Sequence, residues 1–296
     1  MIMTNDEIVE ICLTGLFKEE KLAEKLRLKG GQAIRLKENM KNRLSMDIDF
    51  SVSKDVGEPD PFFSLIQEAL SNEFSKRDLH LFDFVKVRRP KYPSKDKPKF
   101  WGGWAVTFKL IEGSKKGLTI DKKRKEALLT EGSSSSKIKL DISEFEYCNT
   151  FDEISISHVN VKVYTRALLV LEKLRAICQQ HPDYPHREVG TRARDYYDIE
   201  QLWGKVINAD NIVAFTEDCK NHLTMVFEAK EVPLRLLDRI FDNDFLELQS
   251  KDWQQVKTTV ENKVEEFGYY QETLKDIIER IKCTLGAERV LIKRIL

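Results

Sequence analysis

Asp47 and Asp49 stand one residue apart in the alternating stretch MDIDFSVS. In a strand, alternate side chains share a face, so both carboxylates point the same way. Two like charges that close repel each other unless a cation lies between them. Magnesium takes oxygen ligands and keeps waters, so a carboxylate pair completed by substrate phosphates suits it. A single pair of this kind also fits a solvated strand face. A third carboxylate, Asp141, sits far along the chain in a second alternating stretch, KIKLDISEF. If the two strands lie side by side, three carboxylates converge, and three can hold two metal ions for phosphoryl transfer. Lys137 and Lys139 share the face of Asp141, which equally fits an ion-paired surface.

Three further groups bear on phosphate. Gly30 and Gly31 open a short helical stretch, where backbone N–H groups and the positive helix end can approach a phosphate, although a glycine pair also serves a plain tight turn. Lys173, in EKLRA, lies at the edge of a leucine stripe, the usual place of a snorkelling surface lysine. In RARDYYDI, Arg194 and Asp198 are four residues apart, as in an ordinary helix pair. Taken together, a lysine, arginines and two acids can also clamp a triphosphate, with Asp195 orienting a cation.

The elements that must position these groups are readable from periodicity. Apolar residues recur at helical spacing over 5–27, and LRL before the glycines is either a short strand or the helix end. Residues 32–38 read as a short helix, MDIDFSVS as a strand, and PDPFFSLIQEALSNEF as a helix opened by proline. LHLFDFVKV and WAVTFKLIE read as strands joined by the Pro-, Lys- and Gly-rich loop PKYPSKDKPKFWGG. EGSSSS is a flexible connector, and KIKLDISEF a further strand. After about residue 155 the pattern turns helical: VKVYTRALLVLEKLRAICQQ is a short extended piece and then a helix through Leu168, Leu171, Leu174 and Ile177, and further helices are expected over 191–205, 211–229, 232–241, 251–265 and 268–283. The expectation is an α/β domain over 1–155 and a helical domain over 156–296, and no internal repeat is visible.

Composition narrows the function classes. Hydrophobic residues make up 41% and charged residues 33%, which suits a soluble protein with a sizeable core. No apolar run is long enough to span a membrane, and the acidic start MIMTNDEIVE lacks a signal-peptide core. Five scattered cysteines without a CxxC predict reduced thiols in a cytoplasmic protein. The net charge of zero conceals an asymmetry. Residues 86–125 hold 14 Lys/Arg against 3 Asp/Glu, and residues 196–280 hold 10 against 18. The basic segment, with Tyr92, Phe100, Trp101 and Trp104 interleaved, has the make-up of a nucleic-acid contact or of a solvated hairpin with its aromatics packed beneath. His181 and His186 have no cysteine or further histidine nearby and read as a polar loop.

The ordered set of GG, DID fifteen residues later, the distant strand aspartate, EKLRA and RARDYYDI resembles the AbiEii/AbiGii toxin family of nucleotidyltransferases. The resemblance covers roughly residues 22–205. It implies an α+β fold: a polymerase-β-like nucleotidyltransferase domain with a small mixed sheet, then a helical domain that completes the nucleotide site. It implies a toxin of toxin–antitoxin or phage-defence systems that transfers a nucleoside monophosphate from an NTP, with tRNA acceptor ends as substrates of some members. The cofactor implied is Mg2+, with Mn2+ as its substitute, and the protein partner is a cognate antitoxin.

Residue by residue, Gly30 and Gly31 match the motif that contacts NTP phosphates, and Asp47 and Asp49 match the DxD metal ligands. Asp141 stands as third ligand or general base, and Lys173 matches the essential lysine on the triphosphate. Arg194, Asp195 and Asp198 match RDxxD, with Asp195 its critical acid. Gln32 departs from the family, which commonly has Ser or Thr beside the glycines. A non-catalytic nucleotide- or RNA-binding module and a metal-dependent nuclease are the alternative functions for the same residues.

Overall fold

The computed structural model of the chain describes residues 3–40, 47–90, 98, 100–130, 135–187, 189–208, 211–260 and 264–295, with side chains to Cys283. It divides into two compact units, one of Met1–Ala33 with Ser45–Val163 and one of Ile34–Leu44 with Tyr164–Leu296.

The first unit begins with helices α1 (Asn5–Lys18) and α2 (Glu20–Lys25). Thr4 and Glu7 form a reciprocal capping box at the start of α1, which satisfies two otherwise orphaned N–H groups. Strand β1 (Arg27–Lys29) leads into α3 (Gly30–Lys37), and β2 (Ile48–Ser51) follows. Next come α4 (Pro59–Ser75), the hairpin strands β3 (Leu79–Arg89) and β4 (Gly103–Glu112), and the short α5 (Ile120–Lys125). Strands β5 (Ile138–Ser143), β6 (Phe151–Ile156) and β7 (Val159–Tyr164) complete the sheet.

Its seven strands run in the order β3-β4-β5-β2-β1-β7-β6. Pairing is mixed: β2 is parallel to β5 and β1 to β7, whereas β1–β2, β3–β4 and β4–β5 are antiparallel. One face is apolar, built from Ile48, Phe50, Val106, Phe108, Leu140 and Ile142, all buried. Phe108 meets Phe74 of α4 at 5.8 Å and Phe50 meets Phe17 of α1 at 6.3 Å, so these helices cover that face.

The second unit is helical: α6 (Arg166–Cys178), α7 (Ala193–Asn208), α8 (Ile212–Glu228), α9 (Leu236–Arg239), α10 (Asn243–Ser250), α11 (Trp253–Thr259) and α12 (Phe267–Ile295). α6 is buried on nearly every side. α7 packs through Tyr196 and Tyr197 against Phe267 and Tyr270 of α12, with Trp253 joining the cluster. The end of α3 belongs here too: Lys37 donates to the Tyr164 carbonyl, and Arg166 makes a two-pronged pair with Glu38.

The expected α+β fold, a mixed sheet followed by helices, is what the chain adopts. Several elements differ from the sequence reading. The long N-terminal helical stretch breaks at Glu19, whose backbone is extended. LRL straddles the two: Leu26 caps α2, and Arg27 and Leu28 lie in β1. FDEISI forms an edge strand, β6, hairpinned to β7 through Ser157 and His158, both at positive φ. Two positive φ values are the geometry of a type I′ turn, whose usual signal is Asn-Gly or Asp-Gly; Ser-His carries none of it. Residues 243–250 form a helix in a stretch for which the sequence predicts none. Tyr92 and the start of EGSSSS lie outside the described residues.

Candidate active site

The carboxylates follow from strand register. Asp49 on β2 is the direct neighbour of Asp141 on the parallel strand β5. Continuing that ladder one step beyond Ile48↔Leu140 sets Asp47 beside Lys139, and alternation puts all four on the face opposite the helices. The three aspartates of the sequence analysis therefore share one patch.

Lys139 is central to it. Its Nζ lies 3.0 Å from Asp47 Oδ2 and 2.5 Å from Asp141 Oδ2. Burial works against its charge, but the bonds to Asp141 and Asp47 outweigh this and hold its pKa above the usual lysine value. The other oxygen of Asp141, Oδ1, is buried and lacks a hydrogen-bond partner; Arg89 Nη1 stands 3.4 Å away, in ion-pair range but off hydrogen-bond geometry. Among the described residues no three His, Cys, Asp or Glu side chains close into a ready-made metal cage.

Arg89 reaches this face because of a bulge. Phe82 pairs with Lys109 and Val85 with Thr107, so Asp83 and Phe84 together face one residue of β4. Asp83 adopts φ 50°, and both of its carboxylate oxygens accept from Arg124. Beyond the bulge the alternation of β3 is inverted. Lys86 and Arg88 turn to the helix side, over the rings of Phe63 and Trp104, while Val85, Val87 and Arg89 join the carboxylate face.

Part of the basic segment is thus engaged internally. Lys86 pairs with Asp60, and Arg88 with Glu144, a fully buried carboxylate that also accepts from Trp104 Nε1 and the Val56 amide. Sequence reasoning passed over Arg89 and Glu144; only an aspartate tolerant of positive φ within LHLFDFVKV hinted at the bulge.

Gly30 explains itself through Asp49. Its φ is +64°, and a Cβ there would stand 2.4 Å from Asp49 Oδ2. The glycine lets the start of α3 approach the DxD carboxylate. Replacement by alanine has to strain the backbone and displace that carboxylate. We expect Gly30→Ala to cost about 2–3 kcal/mol in urea unfolding, from the unfavourable φ plus the clash. Gly31 follows within α3, and Gln32, the departure beside the glycines, is fully buried.

In the helical unit, α6 and α7 bring three of the remaining residues together. Lys173 Nζ lies 2.7 Å from Asp195 Oδ1 and 2.6 Å from Asp198 Oδ2. Asp198 is completely buried and Lys173 nearly so. Asp198 turns inward to Lys173. Asp195 also has Arg192 Nη1 at 4.0 Å, and Arg194 is half-buried on the same helix. His181 belongs to a polar cluster, its Nδ1 accepting from the Asp183 amide and its Nε2 3.5 Å from Asp242.

The family described as nucleotidyl transferase AbiEii toxin, type IV toxin–antitoxin system, matches this chain over residues 11–280. The chain belongs to the AbiEii family of nucleotidyltransferase toxins. A comparison with curated proteins gave no match. Among solved structures, JHP933 from Helicobacter pylori is 17% identical, with 98% of this chain and 96% of that one covered and a TM-score of 0.47. A putative nucleotidyltransferase from H. pylori is 15% identical, with 96% and 95% covered and a TM-score of 0.43. MenT4, a nucleotidyltransferase toxin from Mycobacterium tuberculosis, is 10% identical, with 94% and 91% covered and a TM-score of 0.39. Membership makes this AbiEii protein a nucleotidyltransferase enzyme of the toxin class. Among the described residues no helix is long and apolar enough to cross a membrane.

Proposed function

We propose that this AbiEii toxin transfers a nucleoside monophosphate from an NTP to the 3′-hydroxyl of an RNA, with tRNA as the acceptor class and Mg2+ as the cofactor. The observation that carries the reading is the Asp47, Asp49 and Asp141 patch, with Asp49 and Asp141 in register on parallel strands. The donor set suits Mg2+: its members are carboxylate oxygens, and Asp141 Oδ1 is a buried oxygen with no hydrogen bond to give up. Bound there, Mg2+ would supply charge neutralisation at the phosphates and a lower pKa for a ligated hydroxyl.

The chain's residues have separate tasks in this reaction. Asp47, Asp49 and Asp141 would hold the cofactor, and Asp141 also takes the proton of the acceptor hydroxyl. The acceptor oxygen attacks the α-phosphorus, the bond to the β-phosphate oxygen breaks, and pyrophosphate leaves. The N–H groups at Gly30 and Gly31, at a helix N-terminus, suit phosphate oxygens. To Lys173 the reading assigns neutralisation of nucleotide charge, with Asp195 and Asp198 fixing its ammonium. The toxin class supports a cognate antitoxin as protein partner.

Incubation of the purified protein with each α-labelled NTP, total tRNA and Mg2+ tests the proposal. Label joined to RNA 3′ ends by one or more nucleotides is expected. Label absent from RNA with all four, from protein shown to be folded, overturns it. RNA shortening without NTP would identify a nuclease instead.

A further inference from the structure

The carboxylate patch already contains a cation of its own. Lys139 Nζ makes contacts of 3.0 and 2.5 Å with Asp47 and Asp141, and the ladder places Lys139 directly beside Asp47. Nothing in the strand demands this contact: a lysine at position 139, 29% exposed in its side chain, has solvent within reach of its flexible stem. We propose that Lys139 is a built-in competitor for the divalent cation, its ammonium bridging Asp47 and Asp141 in the metal-free chain and leaving when both carboxylates turn to a metal ion. This rests on the reading of the three aspartates as metal ligands.

Charge and geometry both favour exchange over coexistence. The ammonium sits on Asp47 Oδ2 and Asp141 Oδ2, so a metal ion that takes these two oxygens has to displace it. A divalent ion left beside an unmoved ammonium would meet like charge at close range, a repulsion that is strong where water is partly excluded. The ammonium meanwhile keeps two neighbouring carboxylates compensated, which relieves their like-charge repulsion. Lysine suits exchange better than arginine, because a compact ammonium on a four-carbon stem swings away more readily than a planar fork held by two bonds. The consequence is a threshold: the bridge must break before the ion binds, so it lowers the apparent metal affinity. An ion carried in on nucleotide phosphates brings extra ligands and overcomes that threshold more easily than a free ion.

Binding of Mn2+ alone to the full chain, followed by the loss of free-ion EPR signal, tests this without any turnover. Lys139→Met keeps the stem and removes the charge, and it is expected to bind Mn2+ about tenfold more tightly than wild type. Lys139→Arg keeps a cation in place and is expected to bind no more tightly than wild type. Asp49→Asn, measured beside them, marks which binding belongs to the patch. Thermal unfolding in EDTA establishes that each variant is folded; Lys139→Met should unfold somewhat earlier there and gain more from added Mn2+. Equal affinity of Lys139→Met and wild type, both weakened by Asp49→Asn, overturns the competitor role while leaving the metal ligands standing. Mn2+ binding that is indifferent to Asp49→Asn in every protein overturns the ligand assignment and the competitor role with it.

Discussion

Asp49→Asn is expected to lower nucleotide transfer at least about a thousandfold while leaving the fold intact. Asparagine occupies nearly the same volume but offers a neutral, weaker ligand. A bound metal ion contributes several kcal/mol of charge stabilisation, and each 1.36 kcal/mol lost is tenfold in rate. The structural cost should be small, within about 1 kcal/mol, because the substitution also removes one of two adjacent like charges in the register pair with Asp141. The amide has to take the space against Gly30, where a carboxylate oxygen now stands. Single-turnover labelling beside urea unfolding separates the two effects. Transfer within tenfold of wild type by a folded Asp49→Asn protein would remove the carboxylate face from the chemistry.

How much of this was legible depended on whether the information was local. Alternation alone marked β2 and β5 as strands and put Asp47 and Asp49 on one face. That β2 and β5 are neighbours is a non-local fact, between segments about ninety residues apart, and no local pattern encodes it. The bulge at Asp83 reverses which residues of β3 face the carboxylates, so strict period-two counting from Leu81 assigns Arg89 to the wrong side. The compact units are equally non-local. Lys37 and Glu38 lie in the N-terminal part of the sequence, yet they bond to Tyr164 and Arg166. Lys173 was misleading for a different reason. At the edge of a leucine stripe a lysine normally snorkels, and the buried Asp198 and half-buried Asp195 from another helix explain why this one stays in.

That buried triad makes the second large prediction. Lys173→Met takes from Asp198, whose side chain is 1% exposed, the ammonium 2.6 Å away, and from Asp195 the one 2.7 Å away. Breaking a buried pair by removing one partner costs about 3–5 kcal/mol, because the charge left behind loses that partner without gaining solvent. We expect Lys173→Met to lower the unfolding free energy by about that amount. The second variant, Lys173→Met with Asp198→Asn, removes the orphaned charge and should recover roughly half or more of the loss, since replacing both members of a buried ion pair by neutral groups is often close to neutral. Transfer activity should stay absent in both, because neither supplies the ammonium that the proposed reaction uses on the nucleotide. Stability that returns without activity assigns Lys173 two separable roles. Activity that returns together with stability makes the lysine a structural counter-ion, and charge neutralisation of the triphosphate then has to come from another cation.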